Sequence, residues 1–357
     1  MRVNAPNVSV GVVNHNGESY LMRTLRAVDH LGGDVDDVLL IDSGSTDRGP
    51  ALVREHFPRV RVIELGANLG PGAARNRAIR EAKHDRVMLI DNDVEPEPGS
   101  AEALTAALDR DPNAVLAMAA VLYEHTPDMV QYVGAIPHFL GSPALLQADT
   151  PAAMLDDVVE VVGTAITCCL MVDRARFGNR RWFDECLFFY LEDHELGLRA
   201  SLQGYDCLTV PAARCLHRAG TIGVSLRQTG RFTPVRVRHT IRNRWLTLLM
   251  LYQARTLLRF APAFAVFEVL QLFGAVRKGW LRHWLWAAGS VPCLLPHVLQ
   301  VRRAMRSSRR RGDLEVLRGG PFPFNKALHT SSLERAAQRA LNLVATLNWR
   351  LAGGRGP

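Results

Sequence analysis

Between Val8 and Asp91 the chain alternates short apolar runs with helix-like stretches, and nothing else in the sequence restricts the fold as tightly. VSVGVV (8–13) reads as a buried strand. A polar turn follows, NHNGE (14–18), and then a helix pattern with Leu21, Leu25 and Val28 on one face. DVLLI (37–41) is a second strand, ended by DSGSTDRG (42–49) and a helix from about Pro50 to His56. VRVIEL (60–65) is a third. GANLGPGAARNRAIREA (66–82) is a Gly-rich turn opening a helix, and VMLID (87–91) is a fourth strand. Strands and helices at this spacing imply βαβ units and a parallel sheet. Such sheets bind ligands at the carboxyl ends of their strands. That is where NHN, DSGSTD and DND all fall, so three polar clusters converge on one sheet edge.

VMLIDNDVEPEPG (87–99) ends a core strand with two carboxylates one residue apart, followed by a stiff acidic turn. Asp91-Asn92-Asp93 has the D-x-D form. Two hard oxygen donors at a strand end suit Mg²⁺ or Mn²⁺, which keep open positions for phosphate oxygens. Alone, the tripeptide is common and a polar turn explains it equally well. Its place beside other polar clusters on the same edge favours the metal. Asp42 either caps a turn, as Ser43, Ser45 and Thr46 can, or accepts an N–H from a nucleobase. NLGPGAARN (68–76) is neither a P-loop nor G-x-G-x-x-G, so the pattern alone licenses a helix start. Its Arg75 faces either a pyrophosphate or an acidic neighbour such as Asp91. In YLEDHELGLR (190–199), Leu191, Leu196 and Leu198 anchor a helix from which Asp193 can project into the cleft. A general base must reach its proton and be ionised, as an aspartate is at neutral pH. Glu192-Asp193 is equally an acidic first turn favoured by the helix dipole. His217, just past the strand CLTVP (207–211), is either structural or a ligand for the neighbouring metal site.

The rest of the chain bounds the setting. Of 357 residues, 48% are hydrophobic, enough for one large domain with an appendage. The formal charge of +8 hides a division: residues 1–216 carry a net −12 and residues 217–357 a net +20. A basic segment favours polyanions, either nucleic acid or anionic lipid. The six cysteines form no CxxC pair and read as small apolar residues of a reducing compartment. The N-terminus lacks a charged-then-apolar leader pattern. Residues 111–160, with four prolines, read as loops and short strands around an acceptor. TAITCCLMV (164–172) is a further strand. From Trp245 the chain turns very apolar, with Arg244, Arg255 and Arg259 forming a basic stripe on one predicted helix. HWLWAAGSVPCLLPHVLQV (283–301) has no Lys, Arg, Asp or Glu, but its Pro, Gly and Ser make it a poor spanning helix. The basic run 302–311 next to apolar helices favours membrane headgroups. One helix is expected near 332–350 in the tail.

Taken in order, VSVGVVNHNGE, VLLIDSGSTD, NLGPGAARNRAI, VMLIDNDVEPEPG, FDECLFFYLEDHELGLRA, Gly204-Tyr205, VPAAR and His217 resemble the family 2 glycosyltransferases. The likeness spans residues 8–217. RNRW (242–245) followed by apolar helices also resembles rhamnosyltransferase-like members that act on lipid-linked sugars. The resemblance implies a GT-A catalytic domain over 1–240, α/β with a mainly parallel central sheet. A membrane-associating helical region over 241–311 and a basic tail over 312–357 would follow. It implies inverting transfer of one sugar from a UDP-, dTDP- or GDP-linked donor to a glycan or lipid-linked acceptor. The place would be the cytoplasmic face of the cell membrane, with 283–301 left open as one inserted segment. Donor contacts would come from Asn14, Asn16, Glu18, Asp42, Ser45, Asn68, Gly70, Arg75, Asp91 and Asn92. Asp93 and His217 would hold Mg²⁺ or Mn²⁺, Asp193 would act as base, and Glu192 would orient it. Asn14-His15-Asn16 departs from the usual first turn of Thr-Tyr-Asn type. QTGRF (228–232) approaches the Gln-x-x-Arg-Trp of processive synthases but has Phe in place of Trp. Competing readings are a processive polysaccharide synthase, a nucleotidyltransferase, and a non-catalytic membrane-tethered nucleotide-binding scaffold. Nucleic-acid binding is disfavoured, because such surfaces lack long apolar faces.

Overall fold

Strand β1 (Val8–Asn14) is buried along its whole length, which is why it reads as an unbroken apolar run rather than an alternating one. The computed structural model describes residues 7–32, 35–218, 232–322 and 331–354. β1 pairs in parallel with β2 (Val35–Asp42) on one side and β4 (Arg86–Asp91) on the other, and β3 (Arg61–Glu64) extends the sheet beyond β2. Helices α1 (Glu18–Asp29), α2 (Gly49–His56) and α3 (Pro71–Glu81) make the crossovers. Val8, Val10 and Val12 pack with Leu21, Leu25 and Val28 of α1 on one face of the sheet. Val13, Leu39 and Ile41 pack with Ala74, Ala78 and Ile79 of α3 on the other. Each such valine, leucine or isoleucine contributes about 1.5–3 kcal/mol on burial. The register sets Asn14 beside Asp42 and Val13 beside Asp91, so the polar clusters that end these strands lie level with one another.

β11 (Cys169–Asp173) runs antiparallel between β4 and β6 (Ala114–Tyr123), and β12 (Asp206–His217) runs parallel to β6. The short β5 (Val94–Pro96) pairs antiparallel with the end of β12, matching Val94 to His217. The architecture is therefore mixed α/β, with a parallel half and one inserted antiparallel strand. Helix α4 (Ser100–Arg110) packs against β6 and β12.

The region 111–160 is more regular than its prolines suggest. It holds β6, then β7 (Thr126–Tyr132), the two-stranded ribbon of β8 (Gly134–His138) and β9 (Ser142–Leu146), and β10 (Glu160–Val162). β6 is buried on both faces and rich in alanine, so it shows neither alternation nor a β-branched signature. Pro137 and Pro143 face one another across the ribbon, where a missing donor costs no central ladder bond. The strand expected over 164–172 forms only from Cys169, because Thr164 and Thr167 turn their hydroxyls to the helix at 192–202. The strand expected over 207–211 continues to His217, which ends it rather than following it.

The back of the chain is helical: α5 (Arg174–Phe177), α6 (Glu192–Leu202), α7 (Pro234–Leu251), α8 (Ala254–Arg259), α9 (Ala261–Arg277), α10 (Leu281–Cys293), α11 (Leu295–Ser308), α12 (Asp313–Val316) and α13 (Ser332–Leu351). Helix α7 crosses the boundary expected at 240. The single basic stripe does not form. Asp313 Oδ2 takes the backbone N–H of Gln253 and stops α7, leaving Arg255 and Arg259 on the separate helix α8. Arg244 is buried, donating to Leu140 O and Glu268. The apolar run 283–301 divides at Leu294, between Pro292 and Pro296. Among the described residues, no helix is long and apolar enough to cross a membrane. The helix expected near 332–350 forms as α13, and its Trp349 stacks on Phe139 and Phe260, inside a core shared by α7, α9, α11 and β8–β9. QTGRF lies outside the described residues except for Phe232.

Candidate active site

The first polar turn is tied to the second. Asn14 donates Nδ2 to Asp42 Oδ1 at 2.7 Å and to Ser45 Oγ at 3.1 Å, and its own Oδ1 accepts from Asn92 Nδ2 at 2.7 Å. Asp42 is buried, with Oδ2 capping the Ser45 N–H at 2.9 Å. Asn16 stands in the left-handed region at φ 51° and is exposed, accepting the Thr46 N–H at 2.8 Å. Glu18 accepts the Arg48 N–H at 2.9 Å. Three strand ends thus form one hydrogen-bonded floor. Asp42 and Ser45 shape the turn here, and the side chain of Asn16 reaches solvent.

Asn68 and Gly70 build the entrance to α3. Asn68 Oδ1 accepts the Gly70 N–H at 3.0 Å. Gly70 sits at φ 85°, and a Cβ there would lie 2.3 Å from Phe188 O. Only glycine lets this turn meet the loop before α6. Arg75, one turn into α3, is buried and bridges two elements. It donates to Asp91 Oδ1 at 2.7 Å and to Glu192 Oε1 at 2.8 Å. Burial opposes its charge, but Asp91 and Glu192 outweigh burial and raise its pKa. Of the two readings left open for Arg75, the acidic neighbour is the partner the fold supplies.

Asp93 and His217 meet because β5 and the end of β12 are paired. His217 Nε2 lies 3.5 Å from Asp93 Oδ2. Its other nitrogen, Nδ1, is 2.8 Å from Gln131 Oε1 on β7. A hydrogen bond from Nδ1–H to Gln131 orients the ring so that Nε2 faces the carboxylate, and a cation bound there would replace the Nε2 proton. Burial pulls the imidazolium down, but Cys168, Asp93 and Asp91 outweigh it and hold its pKa at about 9. Burial raises the Asp91 carboxyl, with Arg75 pulling the other way. One imidazole nitrogen and neighbouring carboxylate oxygens form a donor set that fits Mn²⁺ or Mg²⁺. Gln131 left no trace in the sequence, because β7 was not legible as a strand.

Glu192 and Asp193 open α6 after a strained approach: Phe188, Tyr190 and Leu191 have φ of 60°, 65° and 66°. Non-glycine residues rarely hold such angles unless their surroundings over-determine them. The surroundings are Asn243 Nδ2, which lies 2.7, 2.9 and 2.6 Å from the carbonyls of Leu187, Phe189 and Tyr190, and Arg242 Nη2, 3.1 and 2.9 Å from those of Cys186 and Leu187. Asp193 Oδ2 accepts the Thr167 N–H at 2.8 Å and its hydroxyl at 3.0 Å, and Oδ1 accepts the His194 N–H at 2.7 Å. These bonds aim a half-buried carboxylate without covering it. Glu192 is buried, and Oε2 has no partner among the described residues. Burial first, and the Asp193 charge second, push its carboxyl up to about 7. Two adjacent carboxyls are thus held apart in role: one half-buried and oriented, one buried against Arg75.

The fold and this carboxylate-lined sheet edge define a GT-A-type α/β protein. Residues 9–145 match the model of glycosyl transferase family 2, so this stretch of the chain is a family 2 glycosyltransferase domain. It is 33% identical over 208 residues to the N-acetylglucosaminyl-diphospho-decaprenol L-rhamnosyltransferase of Mycobacterium tuberculosis, a match covering 50% of this chain and 66% of that protein, just under two thirds. It is 35% identical over 89 residues to the succinoglycan biosynthesis protein ExoO of Rhizobium meliloti, 25% of this chain and 26% of that one. Among solved structures it is similar to GalNAc-T7 with UDP, GalNAc and Mn²⁺, at a TM-score of 0.58 and 16% identity over 83% of this chain and 58% of that one.

Proposed function

We propose that this protein transfers a single sugar, with inversion, from a nucleotide-diphospho-sugar to a hydroxyl of a lipid-linked acceptor at the cytoplasmic membrane face. The observation that carries the reading is the convergence of Asp42, Asp91, the Asp93–His217 pair and the Glu192–Asp193 pair on the carboxyl edge of one parallel sheet. The named activity of the mycobacterial relative supports a lipid-linked acceptor.

In this reading the turn floor of Asn14, Asp42 and Ser45 receives the nucleoside, with Asn16 and Glu18 at its rim. Asn68, Gly70, Asp91 and Asn92 line the approach to the diphosphate. Asp93 and His217 would hold Mg²⁺ or Mn²⁺, which when bound neutralises charge developing on the leaving diphosphate. Asp193 takes the proton of the acceptor hydroxyl as that oxygen attacks the anomeric carbon from the face opposite the leaving group. Inversion follows from one such displacement. Arg75 joins the donor strand to the base helix, and Glu192 orients that helix through it. Outward-facing Val269, Phe273 and Val276 on α9 and Leu281 and Leu285 on α10, with Arg277 and Arg282 between them, support attachment to an anionic membrane.

Calorimetric binding of UDP, GDP and dTDP, with Mn²⁺ and then EDTA, tests the donor site. One nucleotide should bind only with metal, and Asp93→Asn should lose it. Absence of binding by all three with metal present would return the D-x-D to an ordinary turn and favour the non-catalytic tethered scaffold.

A further inference from the structure

Buried arginines in this protein are matched to carboxylates: Arg75 to Asp91 and Glu192, Arg199 to Glu195, Arg244 to Glu268. Buried Arg242 departs from that rule, and two less buried arginines gather around it. Arg238 and Arg242 on α7 each place a guanidinium 5.5 Å from the centre of the Trp286 ring on α10, and the His239 ring lies 5.4 Å from the same indole. Arg282 joins them through His283: Arg238 Nε is 3.0 Å from its Nδ1 and Arg282 Nε is 3.3 Å from its Nε2. A neutral imidazole accepts at only one nitrogen, so the two arginines share a single acceptor there. Arg242 is buried, yet its partners are the carbonyls of Cys186 and Leu187 and the amide of Asn243, all neutral. Among the described residues, no carboxylate pairs with Arg238, Arg242 or Arg282.

A buried cation without a counter-charge costs several kcal/mol unless something supplies one. The local field shows the excess. Burial lowers the Arg242 pKa, and burial followed by Arg242 and Arg238 pushes His239 down to about 4. The cluster borders the catalytic loop. Arg242 holds Leu187 O, and Arg236 lies 4.8 Å over the ring of Tyr190, two residues before Glu192. The helix that carries Trp286 and Arg282 also carries exposed Leu281 and Leu285. A diphosphate with an apolar tail matches both features at once: charge against the arginines, hydrocarbon along α10.

We propose that this α7–α10 face binds the diphosphate of a prenyl-linked acceptor, with Arg238, Arg242 and Arg282 as its counter-charges and Trp286 as its floor. The proposal rests on the lipid-linked acceptor reading above and names the subsite for it.

The test uses farnesyl diphosphate as probe, titrated into the full chain by calorimetry, beside farnesol and inorganic pyrophosphate. Arg238→Glu is the primary variant. Arg282→Glu, at an exposed position, is the second, so that a folding defect in one leaves the other informative. Farnesyl diphosphate should bind, farnesol should not, and inorganic pyrophosphate should bind more weakly. Each charge reversal should weaken the probe by about tenfold or more and leave nucleotide binding with Mn²⁺ unchanged. The proposal is overturned if both variants bind farnesyl diphosphate like the parent. It is equally overturned if they lose the nucleotide instead, if inorganic pyrophosphate binds as tightly as the prenyl form, or if only attachment to phosphatidylglycerol vesicles falls. Failure of the parent chain to bind any nucleotide, with the farnesyl result intact, would count against the donor reading and leave this subsite standing.

Discussion

Glu192 shows how position alone assigns a role to a residue. Its carboxyl is raised to about 7, above its ordinary value of 4.5, by burial and then by Asp193. A carboxyl raised in the folded state binds a proton there that the unfolded chain has released, so stability falls as pH rises between about 4.5 and 7. Glu192→Gln removes that dependence. The melting temperature of the variant, relative to the parent, should therefore climb from about pH 5 to about pH 8. A constant difference would mean that Glu192 is ionised throughout, locked to Arg75. The sequence made Glu192 and Asp193 legible as a pair but not their division of labour. That division depends on Thr167 and Arg75, which lie 26 and 117 residues away along the chain. Gln131 was invisible for the same reason: its meaning exists only once β7 lies beside the end of β12. Gln131→Leu should weaken Mn²⁺-dependent nucleotide binding by roughly tenfold, because the imidazole loses the bond that orients its ring.

Among the elements, the loop Leu187–Leu191 is held from two sides. Asn243 gathers three of its carbonyls, and the turn at Gly70 presses against Phe188 O. Asn243→Leu leaves buried carbonyls without a donor and should cost about 2–4 kcal/mol in denaturant unfolding, with turnover falling further than nucleotide affinity. Gly70→Ala adds a left-handed alanine and a clash, and should cost about 1–3 kcal/mol. An unchanged midpoint for both would show that the loop relaxes freely. RNRW could be picked out in the sequence as a motif. Its work could not, because backbone carbonyls carry no sequence signature. The parallel strands were legible because double burial writes itself as an unbroken apolar run. β6 has the same burial but an alanine-rich one, and its ten residues did not stand out from a region that reads as loops and short strands.

Across the whole molecule, the charge divides between an acidic front and a basic, apolar back. The back is integral to the fold. Trp349→Ala should cost about 3–5 kcal/mol, because the indole fills the core between Phe139 and Phe260. Attachment to anionic vesicles should weaken with added salt, as expected of juxtamembrane arginines. The composition made that polarity visible in advance. It did not show that α7 ties it to the loop before α6. The central claim, that Asp193 is the base of a glycosyl transfer at this sheet edge, is tested most directly by the turnover of Asp193→Asn. The experiment requires the matching nucleotide-sugar and metal, with nucleotide affinity measured beside it. The account predicts a loss of about 10²–10⁴ in kcat with affinity retained. Turnover within a few fold of the parent would contradict it.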